Sequence, residues 1–248
     1  MEKLFSLEGK NILVTGASSG IGRAIAVACS MSGANVLVMG RNMQRVDETL
    51  ALLKPGQHTG LLCELTDDKQ VDEMISRLPK LDGVVHSAGV GHTKVSKFLE
   101  RPEVERVMDV NFVSPILLQA KLLQNKLMKK ESSIVFIASF TVNAGMVGNG
   151  IYSASKGAMV SYANCLKCEL ASRFIRVNCI SPAMVKTKLI GMEGDILDEH
   201  LLKDEQTYLF KRYGTPEDIA GLAVYLLADA SRWMTGTNIE ITGGAPRN

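Results

Sequence analysis

Short uninterrupted apolar runs alternate along the chain with longer segments whose apolar positions recur every three or four residues. The runs are NILVT from Asn11, NVLVM from Asn35, TGLLC from Thr59, GVVHS from Gly83, SIVFIAS from Ser133 and IRVNCIS from Ile175. A strand with one wet face alternates apolar and polar residues, whereas a run without alternation is covered on both faces. Between the runs, IGRAIAVACSMSG, VDETLALLK and DKQVDEMISRL carry the spacing of amphipathic helices. Strand and helix taking turns in this way predicts an α/β fold: a doubly wound parallel sheet with right-handed crossovers and helices on both faces.

No linker rich in Ser, Gly or Pro, internal repeat or low-complexity stretch interrupts the series, so residues 1–248 are expected to form one domain. The least regular stretch is 186–213, where glycines mix with helical pieces just after a strand. The ligand crevice of such a sheet lies at the carboxyl ends of its strands, and a substrate lid is expected there. Beyond it, GTPEDIAGLAVYLLAD opens a helix: Thr215 can cap, Pro216 suits the first turn, and Glu217 and Asp218 meet the positive end of the dipole.

Composition narrows the field. With 248 residues, 46% hydrophobic and 22% charged, the chain can bury a sizeable core and is not disordered. The net charge of +2 has no concentrated basic block behind it, since Lys129-Lys130 and the stretch from Lys186 to Lys188 are short, so nucleic acid is not an expected partner. Among the five cysteines only Cys165 and Cys168 have CxxC spacing, within a helical pattern that lacks a second Cys or His pair. Packing rather than metal or redox work is expected of them, with reduced thiols in a cytoplasm and no metal. The start, MEKLFSLEGKNILVTG, lacks the features of a signal peptide, and no apolar run approaches the roughly 20 residues that cross a bilayer. A soluble cytoplasmic protein without a membrane partner is the expectation.

Candidate chemistry begins where the first run enters TGASSGIGRAIA. Glycines at 16, 20 and 22 ahead of an apolar helix make a tight turn whose amides can hold a pyrophosphate at the helix N-terminus. Gly16, Ser18, Ser19, Gly20, Ile21 and Gly22 are the expected cradle. Farther on, Tyr152 and Lys156 lie four residues apart and share a helix face, and Ser139 ends the strand run thirteen residues before the tyrosine. An ammonium beside a phenol favours the phenolate and is expected to lower its pKa. A tyrosine so tuned can give a proton to a carbonyl oxygen or take one from an alcohol, while Ser139 donates to the same oxygen.

The TGxxxGxG spacing, the serine and the YxxxK pair together resemble the short-chain dehydrogenase/reductase family over nearly the whole length. The resemblance implies a Rossmann fold, a nicotinamide dinucleotide and an oxidoreductase. Asn111 matches the asparagine that in relatives kinks a helix and anchors a proton relay. Tyr152 is the implied acid/base, Ser139 the carbonyl orienter, and Lys156 the pKa shifter and ribose ligand. Gly40 stands where NAD-preferring relatives carry aspartate, so Arg41, with Asn42 beside it, is expected on a 2′-phosphate, giving NADP(H) preference over NAD(H). In CELTD, Glu64 and Leu65 occupy the adenine turn, with glutamate where aspartate is usual. HSAG stands in place of NNAG: Ala88 and Gly89 keep the close approach to the cofactor, while His86, at a buried strand end, is expected to be structural. In SPAMVKT, Val185 and Thr187 are implied to meet the nicotinamide carboxamide, with Ala183 replacing a glycine.

Within the family the pattern looks closest to the 3-oxoacyl-thioester reductases. Lys130 and Arg173 lie near positions where such enzymes carry cations for acyl carrier protein, a candidate partner here. Sugar, steroid-like and other secondary alcohols stand open as substrates, with residues 90–97, 141–149 and those after Thr187 expected around the substrate and Met184, Leu189 and Met192 as apolar lining. A cofactor-sensing protein that has lost turnover is the alternative, and the presence of both Tyr152 and Lys156 argues against it. By resemblance the chain is expected to form a homotetramer or homodimer through the helices bearing Asn111 and Tyr152 and through the last strand.

Overall fold

Seven parallel strands make one sheet in the computed structural model, which describes residues 2–187 and 199–247. They are β1 Asn11–Thr15, β2 Asn35–Gly40, β3 Thr59–Leu62, β4 Leu81–His86, β5 Met128–Ile137, β6 Arg176–Pro182 and β7 Asn238–Ile241, standing in the order β3-β2-β1-β4-β5-β6-β7. The helices are α1 Glu2–Phe5, α2 Gly20–Met31, α3 Met43–Leu50, α4 Asp68–Ile75, α5 Arg101–Met108, α6 Ser114–Gln124, α7 Gly150–Leu170, α8 Glu199–Glu205 and α9 Pro216–Leu227.

Successive residues of a strand face opposite sides of the sheet. Ile12 and Val14 join a cluster with Ile25 of α2 and Ala223 and Leu226 of α9. Leu13 points the other way, into a cluster with Met74 of α4, Leu118 of α6 and Met159 and Leu166 of α7. Both faces are therefore dry, which is why the central runs do not alternate. Each fully buried aliphatic side chain contributes about 1.5–3 kcal/mol, so these two layers are the main stabilising term.

The pattern misreads the edges. TGLLC is an edge strand with Leu62 exposed, and its continuity reflects no two-sided burial. At the other edge β7, NIEI, is half-buried and too short and polar to register as an apolar run. Cys165 and Cys168 do not pack in the core as expected: both are exposed on α7, whose buried face is carried by Met159, Ala163, Leu166 and Leu170. Among the described residues no group of His, Cys, Asp or Glu is placed to hold a metal, and no helix is long and apolar enough to cross a membrane.

Strand order reverses between β1, which continues toward β2, and β4, which leads toward β5, so the crevice of the fold opens at the carboxyl ends of β1 and β4. Of the expected lid, 188–198 lie outside the described residues. Its remainder includes α8 and a turn that ends at Tyr213, where the rings of Tyr208 and Tyr213 meet edge to face at 5.2 Å. Lys186 pairs with Glu205 at 2.7 Å, and Val185 bridges Gly214, holding the two ends of the segment together. Asp218 accepts from the Thr215 N–H at 2.8 Å and completes a capping box at the start of α9.

Candidate active site

The glycine turn after β1 is shaped by exclusion. Gly16 has a φ of 64°, and a Cβ there would stand 2.7 Å from the Ala88 Cα. At Gly22 a Cβ would stand 2.4 Å from the Gly16 carbonyl oxygen. Only glycine fits either place. Ser19 occupies the N-cap of α2 without capping it through its side chain, and the first turn carries no acid, so the positive end of the helix faces the cleft uncompensated.

Arg23 braces the turn from behind, donating to the Ser18 carbonyl at 2.6 Å and to the Thr49 hydroxyl at 2.9 Å, while that hydroxyl donates to the Ala17 carbonyl at 3.0 Å. Thr15 closes the mouth of the switch point: its hydroxyl accepts from the N–H groups of Ser87 and Ala88 at 3.1 and 3.2 Å.

Where β2 ends, a Cβ on Gly40 would stand 2.9 Å from the Ser18 Cβ and 3.0 Å from the Val46 Cγ2. Ser18 of the glycine turn and Val46 of α3 thus occupy the space an acidic side chain would need. Arg41 is 72% exposed, and its guanidinium lies 3.7 Å from the Glu64 carboxylate. Asn42 caps α3, accepting from the Arg45 N–H at 3.0 Å. Arg45 stands on the same wall, an added cation that no motif announces.

On the opposite side, α5 passes into one π turn, Asp109–Val113, before α6 resumes. Asn111 is fully buried in that wider turn. Its Oδ1 accepts from the Val90 N–H at 2.7 Å, and its Nδ2 donates to the Val90 carbonyl at 3.0 Å and the Ser155 hydroxyl at 3.1 Å. A Cβ on Gly89 would come 3.1 Å from Asn111 Oδ1 and 3.4 Å from Lys156 Nζ, so this glycine lets loop and helix meet.

Ser139 lies just beyond β5, and its Oγ accepts from the N–H and hydroxyl of Thr141 at 3.3 and 2.9 Å. Lys156 Nζ donates to the Ile137 carbonyl at 2.8 Å and stands 6.0 Å from the centre of the Tyr152 ring. Burial pushes the Lys156 ammonium down to about 8. Burial also raises the Tyr152 phenol, with a hydrogen bond from Ser139 pulling the other way. The expected lowering of the phenol is therefore not met in the free chain: removal from water outweighs an ammonium that is itself buried and held on a carbonyl.

One cleft of about 590 Å³ joins the two sides. Its walls include the glycine turn, Arg41, Asn42, Glu64 and Leu65 at one end, and Ser139, Tyr152 and Lys156 at the other, with Ala88, Gly89, Val185 and Thr187 along its length. Thr187 reaches back to within 3.2 Å of the place a Gly20 Cβ would occupy. Asn111 lies behind the wall rather than in it.

A family model described as Enoyl-(Acyl carrier protein) reductase matches residues 16–246. The chain belongs to the short-chain dehydrogenase/reductase family. It is 29% identical over 241 residues to the 3-oxoacyl-[acyl-carrier-protein] reductase FabG of Rickettsia felis, covering 97% of this chain and 98% of the relative. Among solved structures it is similar to a glucose/ribitol dehydrogenase-type short-chain dehydrogenase/reductase from Brucella melitensis, with 30% identity, a TM-score of 0.89 and coverage of 98% and 99%. It is also similar to LugOII, a promiscuous reductase that catalyses keto-reduction at C1 in lugdunomycin biosynthesis, with 30% identity, a TM-score of 0.88 and coverage of 96% and 98%.

In this short-chain dehydrogenase/reductase Val90, His92, Thr93, Phe140, Asn149 and Tyr208 also line the cleft. His86 takes no part. It is 1% exposed, stacks on Phe136 at 4.7 Å, and its Nε2 lies 3.0 Å from Gln119 Oε1. Burial holds it neutral, with a pKa pushed down to about 4. Lys130 and Arg173 lie by the first residues of β5 and β6, at the end of the sheet opposite the cleft, where Lys130 covers the Phe174 ring and Arg173 donates to the Met128 carbonyl.

Proposed function

We propose that this chain is an NADP(H)-dependent oxidoreductase that interconverts a ketone and a secondary alcohol, with Tyr152 as the acid/base. The observation that carries the reading is the meeting of Ser139, Tyr152 and Lys156 at one end of a single cleft whose other end is a glycine turn with no room for a Cβ. That cradle fits a dinucleotide: the turn amides and the α2 N-terminus would hold the pyrophosphate, and Glu64 and Leu65 would border the adenine. Arg41 and Arg45 would take a 2′-phosphate, Lys156 a ribose hydroxyl, and Val185 and Thr187 the carboxamide. When bound, the nicotinamide supplies or accepts hydride.

The chain's own residues handle the oxygen. Ser139 donates to the carbonyl oxygen and orients it, and Tyr152 gives that oxygen a proton in reduction or takes one from the alcohol in oxidation. Lys156 offsets the negative charge left on the phenol, and Asn111 fixes the turn through which protons return from solvent. A 3-oxoacyl thioester is the leading substrate class, supported by the acyl-carrier-protein reductase among the relatives, with acyl carrier protein as the partner that would present it. The sugar-type neighbour supports a polyol as the alternative. The reading includes one catalytic domain with 186–213 as its lid, a homotetramer or homodimer, and a cytoplasmic location.

The test is NADPH and NADH oxidation followed by absorbance against acetoacetyl thioesters of coenzyme A and of carrier protein, simple and cyclic ketones, and keto sugars. Turnover with NADPH well above NADH is expected. Tight NADPH binding with no turnover of any member would make the chain a sensor instead.

A further inference from the structure

We propose that Thr141 is a positioning residue that fixes Ser139 as a hydrogen-bond donor to the reacting oxygen. The inference rests on the reading of Ser139 as the carbonyl orienter. A hydroxyl oxygen has two lone pairs and one hydrogen, and which of them faces a substrate decides whether it helps or competes. Ser139 caps the short 3-10 turn Phe140–Val142, accepting from the Thr141 backbone N–H at 3.3 Å. The Thr141 hydroxyl approaches the same Oγ at 2.9 Å.

Two donors from one residue fill both lone pairs of Ser139, and what remains to it is its own O–H. The neighbour on the cleft side is the Tyr152 phenol. With both lone pairs occupied, Ser139 cannot accept a hydrogen bond from the phenol, so the Tyr152 O–H is left to donate to the carbonyl oxygen. A donor feeding into Ser139 also polarises its O–H and strengthens the bond it makes. The Thr141 hydroxyl makes no other hydrogen bond among the described residues, and a half-buried threonine on the cleft wall with this single engagement is placed for orientation rather than packing.

The experiment compares Thr141→Val, which keeps shape and removes the hydroxyl, with Thr141→Ser, which restores it, using acetoacetyl-coenzyme A and NADPH. Thr141→Val is expected to lower kcat about fivefold, the worth of one net hydrogen bond. KM and the NADPH Kd should stay within about twofold, and Thr141→Ser should recover most of the rate. In a Ser139→Ala background Thr141→Val should have no further effect, because it acts through the serine. Wild-type kcat in Thr141→Val, failure of Thr141→Ser to rescue, or an equal loss in the Ser139→Ala background overturns the proposal.

A collapse of kcat in Ser139→Ala beside an unaffected Thr141→Val would sink the role of Thr141 alone. An unaffected Ser139→Ala would sink the role of the serine, and this proposal with it. A second readout needs no substrate: the Tyr152 phenol, followed by carbon-13 NMR of labelled tyrosine, should titrate higher in Thr141→Val and unchanged in Thr141→Ser. Lys156 on α7, His92 on the loop after β4 and Tyr208 beyond α8 are the other titratable side chains of that half of the cleft. They are common to all variants, so an unmoved phenol in Thr141→Val overturns the proposal.

Discussion

Tyr152 sits in a setting that holds it protonated in the free chain, since burial raises the phenol. For reduction this is the useful state, because the carbonyl oxygen needs a donor. Tyr152→Phe should lower turnover by roughly 10²–10⁴-fold, the usual worth of a positioned acid, while leaving NADPH affinity within about twofold. Steady-state rates beside a fluorescence titration of NADPH would check it. At the other end of the cleft the 3.7 Å approach of Glu64 to Arg41 sets two charges against each other around the proposed phosphate site. Arg41→Ala should weaken NADPH about tenfold or more and NADH little, and Glu64→Gln should tighten NADPH by a few fold, both fading in high salt. An unchanged NADPH/NADH ratio of Kd values in Arg41→Ala would move the phosphate contact to Arg45.

Among the elements, the strand-turn-helix unit from β1 into α2 has the least tolerance. Gly16→Ala adds a Cβ 2.7 Å from Ala88 at a φ of 64°. The left-handed conformation alone costs about 1–2 kcal/mol in a non-glycine residue, and the clash forces the tip of β4 away from β1. Loss of NADPH binding together with a thermal midpoint lower by several degrees is expected, read by dye-monitored melting with and without cofactor. This element was legible in the sequence because its glycines have a stereochemical reason to be there. The π turn at Asn111 was legible only through family resemblance, since DVNFV reads as ordinary helix and the bulge comes from side-chain bonds to Val90 and Ser155. Arg23 and Thr49 gave no sign at all, because the bonds from Arg23 to Thr49 and from Thr49 to Ala17 join residues distant in sequence.

For the whole molecule, the buried His86 ties stability to pH. Its folded pKa is about 4 against an ordinary 6.5. Between those values the unfolded chain binds the extra proton, so stability falls as pH drops from about 6.5 toward 4 and this contribution then levels off. The loss is on the order of 3 kcal/mol, from a shift of about two and a half units at 1.36 kcal/mol each. Urea midpoints at pH 7 and 4.5 should differ in the wild type and much less in His86→Phe. Asp218, held at about 2 by Arg212, adds its own loss only below its ordinary 3.8, so the two windows separate.

The sheet itself was readable wherever both faces are dry, and β7 was not, because an edge strand with Glu240 paired to Asn143 and Arg247 has no apolar run to show. The contact between Gly40 and Ser18 couples two such distant segments. An acid at position 40 cannot settle while Ser18 and Val46 fill its space. A change of dinucleotide would therefore be epistatic: relief at Ser18 and Val46 must come first, and Gly40→Asp made alone should damage the cradle before it can recruit a new cofactor.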